Sequence, residues 1–296
     1  MSKYINPYTD FGFKKLFGEE ANKDLLIDFL NTFLPEKHRI KTLNFRNPEQ
    51  LGSIYVDRRA VFDIYCEAEN GEQFIVEMQK AKQHFFKDRS IFNTAFLIRE
   101  QAEKGEAWKY ELQDIYFVGI LDFVYDEHEE RQKFMRDVSL KDQDGDPFYD
   151  KLHYILLQMP RFEKTEQELE THQDKWLFFL KNLTNFDEIP AILREQVFER
   201  AFETAAIARM SKQEYFRYEL DRKVLRDNYA ILTTAIDDGM ARGKVEGRAE
   251  GKAEGLVEGE TKKALEVARN MKHEGFDSCI IAKMTGLSPD EIERLN

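Results

Sequence analysis

Asp63, Glu77 and Gln79 are the residues whose types and spacing point most directly to chemistry. They lie in DRRAVFDIYCEAENGEQFIVEMQK, residues 57–80, which is two alternating stretches joined at Asn70-Gly71. Period-two alternation around a Gly-containing turn predicts a β-hairpin. Phe62, Ile64, Cys66 and Ala68 fall on one face of the first strand, and Asp63, Tyr65, Glu67 and Glu69 on the other. The second strand divides into Phe74, Val76 and Met78 against Ile75, Glu77 and Gln79. Directly opposed residues of an antiparallel pair share a face, so the register decides whether the acids meet. A two-residue Asn70-Gly71 loop sets Asp63 opposite Met78. A three-residue loop, Glu69-Asn70-Gly71, sets Asp63 opposite Glu77, with Gly71 at the left-handed position of a bulge. That register also stacks Phe62, Ile64 and Cys66 on Phe74, Val76 and Met78, and it is the one expected here. Two converging carboxylates with the backbone carbonyl of Met78 suit a hard cation such as Mg2+, with Mn2+ as a substitute. By itself the pattern also fits the solvated face of a half-buried hairpin.

Asp63…Glu77-Met78-Gln79 resembles the core of the PD-(D/E)XK nuclease superfamily, and in particular its recombination-promoting nuclease (Rpn) branch, a transposase-family group in which Gln commonly replaces the Lys. Asp10-Phe-Gly-Phe-Lys-Lys-Leu-Phe-Gly18 resembles the opening motif of that family, and the glycine repeat near the C-terminus resembles its tail. The resemblance implies that Asp63 and Glu77 ligate metal and that Gln79 fills the lysine slot. A Gln there supplies neither a cation nor an acidic proton, and orients water or a phosphate oxygen by hydrogen bonds alone. The superfamily often draws a further acid from the first helical region. Asp10, Glu19 and Glu20 are candidates, and spacing does not choose among them.

The totals set the frame for these residues. A chain of 296 residues can bury a sizeable core. No run of eighteen apolar residues exists, which excludes a helical membrane span, and the opening MSKYINPYTD is not a signal peptide. Cys66 and Cys279 stand far apart and fit a reducing cytoplasm. The histidines show no ligand spacing with one another or with cysteine, which argues against zinc. A net charge of −12 argues against a protein that coats nucleic acid through its general charge. A local basic groove is then required for DNA. Lys15, Lys80, Lys82 and Arg89 are its candidate contacts, together with Lys14, His84 and Lys87. Lys80 and Lys82 point to the other face from the acids if the strand continues, and the basic stretch from Lys37 to Arg46 reads by default as a solvated face.

The elements that must hold the site follow in order. A helix is expected over Lys23–Phe33, capped by Asn22 and stopped by Pro35, and a first strand over Lys41–Asn47. After the hairpin, Phe85–Lys104 reads as a helix with Phe85, Arg89, Phe92, Phe96 and Arg99 on one stripe, Phe92 and Phe96 in the core, and Gly105 as its stop. Asp114–Tyr125 is a near-continuous apolar run, the signature of a strand buried on both faces. Phe134–Leu140 and Leu152–Met159 flank the turn DQDGDP as a second hairpin. That turn lacks the remaining EF-hand ligands and reads as an ordinary turn.

From Thr165 the chain reads as helical. Expected helices cover Glu166–Leu183, opened by the box Thr165-x-x-Glu168, then Ala191–Met210, then one opened by Ser211-x-x-Glu214. The last runs without proline into GMARGKVEGRAEGKAEGLVEGE, with Gly at 239, 243, 247, 251, 255 and 259. Interior glycines each cost a helix about 1 kcal/mol, so the repeat serves something other than monomer helicity. It is either a flexible linker or, as favoured here, a marginal helix whose glycine stripe lets a partner helix approach and makes a homodimer. Residues 277–296 have the outline of a helix-turn-helix. Asp290, Glu291 and Glu293 on the second helix favour a regulatory or dimer-stabilising pair over a base reader.

The expectation is therefore an α/β fold: a restriction-endonuclease-like mixed sheet flanked by helices over 1–160, a helical region over 161–238, a Gly-repeat helix or linker over 239–276, and a small tail over 277–296. The leading function is Mg-dependent DNA endonuclease action that promotes recombination, in the cytoplasm and off the membrane. The alternative is a catalytically degenerate DNA-binding protein or scaffold that keeps the fold.

Overall fold

In the computed structural model, which describes residues 2–46, 62–102, 111–125 and 133–295, the sheet is organised on strand β4. The strands are β1 (Leu43–Phe45), β2 (Ile64–Ala68), β3 (Gln73–Gln79), β4 (Ile115–Leu121), β5 (Met135–Lys141) and β6 (Pro147–Gln158). Every residue of β4 is buried, as an apolar run without alternation demands. The order is β1-β2-β3-β4-β6-β5; β3, β4 and β6 are parallel and the other neighbours antiparallel. Helix α3 (Phe86–Glu100) forms the crossover from β3 to β4, as a parallel pair requires.

Side chains alternate between two apolar layers. Ile64, Cys66, Phe74, Val76, Tyr116 and Val118 share a core with α1 (Asp10–Phe17), α2 (Lys23–Asn31), α4 (His172–Asn182) and α5 (Gln196–Ala205). Tyr65, Ile75, Phe117 and Leu121 pack with Phe86 and Leu97 of α3. The hairpin is therefore covered on both faces, and the idea of a solvated upper face is overturned. Phe62 differs as well: it packs with Tyr65 and Ile75, opposite the face that alternation assigns it, because β2 begins only at Ile64.

Several bounds move. Helix α2 ends at Asn31, and the Asn22 amide donates to the Lys15 carbonyl instead of capping it. Thr165 and Glu168 form their box on a single 3-10 turn, while α4 starts later behind its own box, Thr171 with Asp174. The expected helix Ala191–Met210 is α5 flanked by 3-10 turns. In DQDGDP the Asp142 carboxylate accepts the N–H groups of Asp144 and Asp146, an ordinary turn. The stop at Gly105 and the stretch 57–61 lie outside the described residues.

The chain divides into two compact units, 1–225 and 226–296. In the second, the glycine repeat is helical as part of α6 (Lys212–His273). Helices α7 (Ser278–Thr285) and α8 (Pro289–Glu293), separated by a left-handed Gly286, close a small core of Ala268, Ile281, Ile292 and Leu295. Among the described residues no helix is long and apolar enough to cross a membrane.

Candidate active site

The hairpin closes with the three-residue loop. Ile64 pairs with Val76, Tyr65 with Ile75 and Cys66 with Phe74, while the Ala68 N–H donates to the Glu72 carbonyl at 2.9 Å and Gly71 takes φ 87°. Continued by one residue, this register sets Asp63 across from Glu77. Asp63 has left the strand ladder, and its Oδ2 accepts the backbone N–H of Met78 at 2.8 Å.

Glu77 is 2 % exposed, and other side chains satisfy its carboxylate. Oε1 accepts from Asn93 at 2.9 Å, and Oε2 from Gln79 at 3.1 Å and Arg89 at 3.4 Å. Burial pushes Glu77 up to about 7; the nearby Asp63 charge adds to this and Arg89 opposes it. Burial also raises Asp63, with Asp10 adding and the Met78 N–H, Lys14 and Arg89 opposing. Both groups resist ionisation where they stand, chiefly because burial penalises the charged form.

The three candidate acids of the first helical region fall in different surroundings. Asp10, at the start of α1 and ion-paired to Lys14 at 2.7 Å, lines the same pocket of about 470 Å³ as Asp63, Lys14, Lys15, Arg46 and Arg217. Its charge reaches Asp63. Glu19 lines the pocket too and pairs with Lys15, as Asp10 does with Lys14, but is not among the charges that act on Asp63, and Glu20 pairs with Lys23. Helix α1 is set by Gly12, where a Cβ would stand 2.1 Å from the Asn6 carbonyl oxygen.

The basic candidates separate. Arg89 reaches the acid pair and also donates to Gln83. Lys80 and Lys82 are exposed just after β3. The Lys15 ammonium is bound by Glu19 and by Glu214 of α6.

Asn93 is the residue that sequence reasoning missed. The buried stripe of α3 is Phe86, Ser90, Asn93, Thr94 and Leu97, rotated away from the expected aromatic one. Phe92 is 48 % exposed and Phe96 only half-buried, so neither is the core residue expected. The available signal was the polar trio 90, 93 and 94 at helical spacing between Phe86 and Leu97. A buried carboxylate on β3 needs donors from the helix that covers it.

The set fits a hard divalent cation. Its anionic donors are oxygens only, and both carboxylates are held above their ordinary range in a way that a bound cation relieves.

A mixed sheet with flanking helices and this arrangement of strands defines an α/β protein of the restriction-endonuclease-like class. The family model described as PD-(D/E)XK nuclease family transposase matches residues 7–235. The chain belongs to this nuclease family. A second, described as Rpn/YhgA-like nuclease family, C-terminal HTH domain, matches residues 261–296, which takes in the end of α6 with α7 and α8. No curated protein and no solved structure matches the chain.

Proposed function

We propose that this nuclease is a metal-dependent DNA endonuclease whose cuts promote recombination, with Asp63, Glu77 and the Met78 carbonyl holding Mg2+. The observation that supports this best is the buried acid pair itself: two carboxylates across one register, one locked by a backbone N–H and the other ringed by Gln79, Asn93 and Arg89. When bound, such an ion polarises a phosphoryl oxygen and makes water a better nucleophile near neutral pH.

The chain's own groups do the rest. Glu77 gives up its proton near neutral pH, and Asn93 holds the carboxylate in place from α3. Gln79 aims an amide donor into the site, where it orients water or a phosphate oxygen. Arg89 balances the acid pair and presents a cation to the incoming phosphate, with Lys80 and Lys82 beyond it. Lys15 acts on DNA through the pocket mouth once it exchanges its carboxylate partners. Asp10 stands as the acid drawn from the first helix.

The tail match supports DNA as the partner. Two copies associated through residues 212–296 would bring two sites, one for each strand. The six repeat glycines have nothing within 4 Å of the Cβ position, and Val245, Leu256 and Val257 of α6 are exposed. Light scattering that gives a monomer at tens of micromolar, on the order of the concentration that reveals weak association, would remove the dimer.

Supercoiled plasmid incubated with Mg2+, Mn2+ or EDTA tests the activity. Nicking with either ion and none with EDTA is expected. Intact DNA in all three, with the protein still bound to it, would instead support a degenerate nuclease fold that keeps only binding.

A further inference from the structure

A second cluster lies at the other end of β3, where no part of the nuclease site reaches. His38 ends the turn Glu36–His38, Glu72 immediately precedes β3, Asp114 immediately precedes β4, and His153 sits on β6. The parallel register that pairs Gln73 with Ile115 and Tyr116 with His153 gathers the last three at one end of the sheet. Five residue-to-residue steps along the strand, roughly 17 Å, separate Glu72 from Glu77.

Donor atoms of His38, Glu72 and Asp114 lie within 4.8 Å of one another. His38 Nδ1 is 2.5 Å from Glu72 Oε1, and His153 Nε2 is 3.8 Å from Asp114 Oδ1. Glu72 is 4 % exposed, yet its Oε2 has no hydrogen-bond partner among the described residues, and neither does His153 Nε2. Tyr116 walls the cluster, stacked between Phe74 at 5.1 Å and His153 at 4.6 Å. Buried polar atoms left unpaired are costly, and a carboxylate oxygen and the lone pair of a neutral imidazole nitrogen are both satisfied by a cation.

We infer that His38, Glu72, Asp114 and His153 form a structural site for a transition-metal ion of the Zn2+ class. Two imidazoles and two carboxylates match the nitrogen and oxygen donors such an ion takes, whereas Mg2+ takes oxygen donors. A tetrahedral ion with bonds of about 2.1 Å spaces its ligands about 3.4 Å apart. His38, Glu72 and Asp114, within 4.8 Å of one another, therefore need to adjust by about an ångström. His153, 3.8 Å from Asp114 but outside that group, must swing further to supply the fourth donor. Four protein donors leave no position for a reacting water, so the role is structural. The ion would tie the Glu36–His38 turn to the starts of β3 and β4 and to β6, and of these strands β3 carries Glu77 towards its opposite end. The histidines lack ligand spacing along the chain because the donors come from four separate segments.

The test uses the full chain carrying Asp63→Ala and Glu77→Ala, which removes the nuclease acids. After chelation it is titrated with Co2+, read by the visible bands of tetrahedral cobalt, and then with Zn2+ as competitor. One equivalent with strong visible bands, displaced by one equivalent of Zn2+, is expected. Adding Glu72→Gln or His38→Ala should abolish the bands and weaken Zn2+ binding at least about a hundredfold, the upper end of what losing a mere supporting residue costs. Far-UV circular dichroism identifies a variant that has unfolded, and His38→Ala, on a surface turn, is the one that decides. Absence of bands in the starting protein, or bands that survive His38→Ala in folded protein, would overturn the site.

Discussion

The Asp63 carboxylate accepts the backbone N–H of Met78 at 2.8 Å, which fixes it beside Glu77 through the chain rather than through another side chain. Asp63→Asn keeps an oxygen able to accept that N–H while removing the charge. The melting temperature should stay within about 3 °C of wild type, equivalent to roughly 1 kcal/mol at this size. Nicking should fall by more than about a hundredfold, since losing a mere supporting residue already costs ten- to a hundredfold. Near-normal nicking by Asp63→Asn would show that its charge is not needed.

Glu77 carries a pH signature. Burial raises it from 4.5 to about 7, so the folded, metal-free protein holds a proton that the unfolded chain has released. Stability from this group is full below about 4.5 and is lost as pH rises through about 7, by on the order of 3 kcal/mol in all. Glu77→Gln removes that loss. In EDTA the variant should match wild type near pH 4.5 and be the more stable at pH 8, as read by urea unfolding. A difference that does not grow with pH would mean Glu77 is already ionised at pH 5.

Arg89 opposes that upward shift from 3.4 Å. Arg89→Met should push Glu77 higher and move the acid limb of the pH–rate profile to higher pH by roughly one unit. Arg89→Lys should move it less. An unmoved limb in Arg89→Met would reduce Arg89 to a DNA contact.

Gly12 is held to glycine by the Asn6 carbonyl oxygen, 2.1 Å from where a Cβ would be. Gly12→Ala must displace the start of α1 and with it Asp10 and Lys14. The expected cost is about 1–3 kcal/mol, the range for an overpacked site, seen as a lower melting temperature. Gly145→Ala, with open space around it, isolates the cost of a left-handed φ for comparison.

Much of this was legible in the sequence. The alternation of residues 62–79, together with the requirement that one face be apolar, selected the three-residue loop and the register, and the unbroken apolar run at 115–121 marked a strand buried on both sides. What the chain could not show was the cover. Nothing local to Glu77 says that α3 buries it, so the aromatic stripe at 85, 92 and 96 looked like the core face, when the polar trio 90, 93 and 94 was serving a buried acid. The long helix expected from Thr165 failed for a related reason. A sound capping box at Thr165 and Glu168 closes one 3-10 turn, and a second box at Thr171 opens the helix that packs. Local signals fix where helices can begin, and tertiary packing decides which of those starts is used.

The most direct test of the account compares plasmid nicking by wild type, Asp63→Ala, Glu77→Ala and the double variant in Mg2+. If the two acids form one site, both single variants should lose nearly all activity and the double should be little worse, because residues acting as a unit are not additive. Equal nicking by wild type and either single variant would place the chemistry elsewhere and contradict the account.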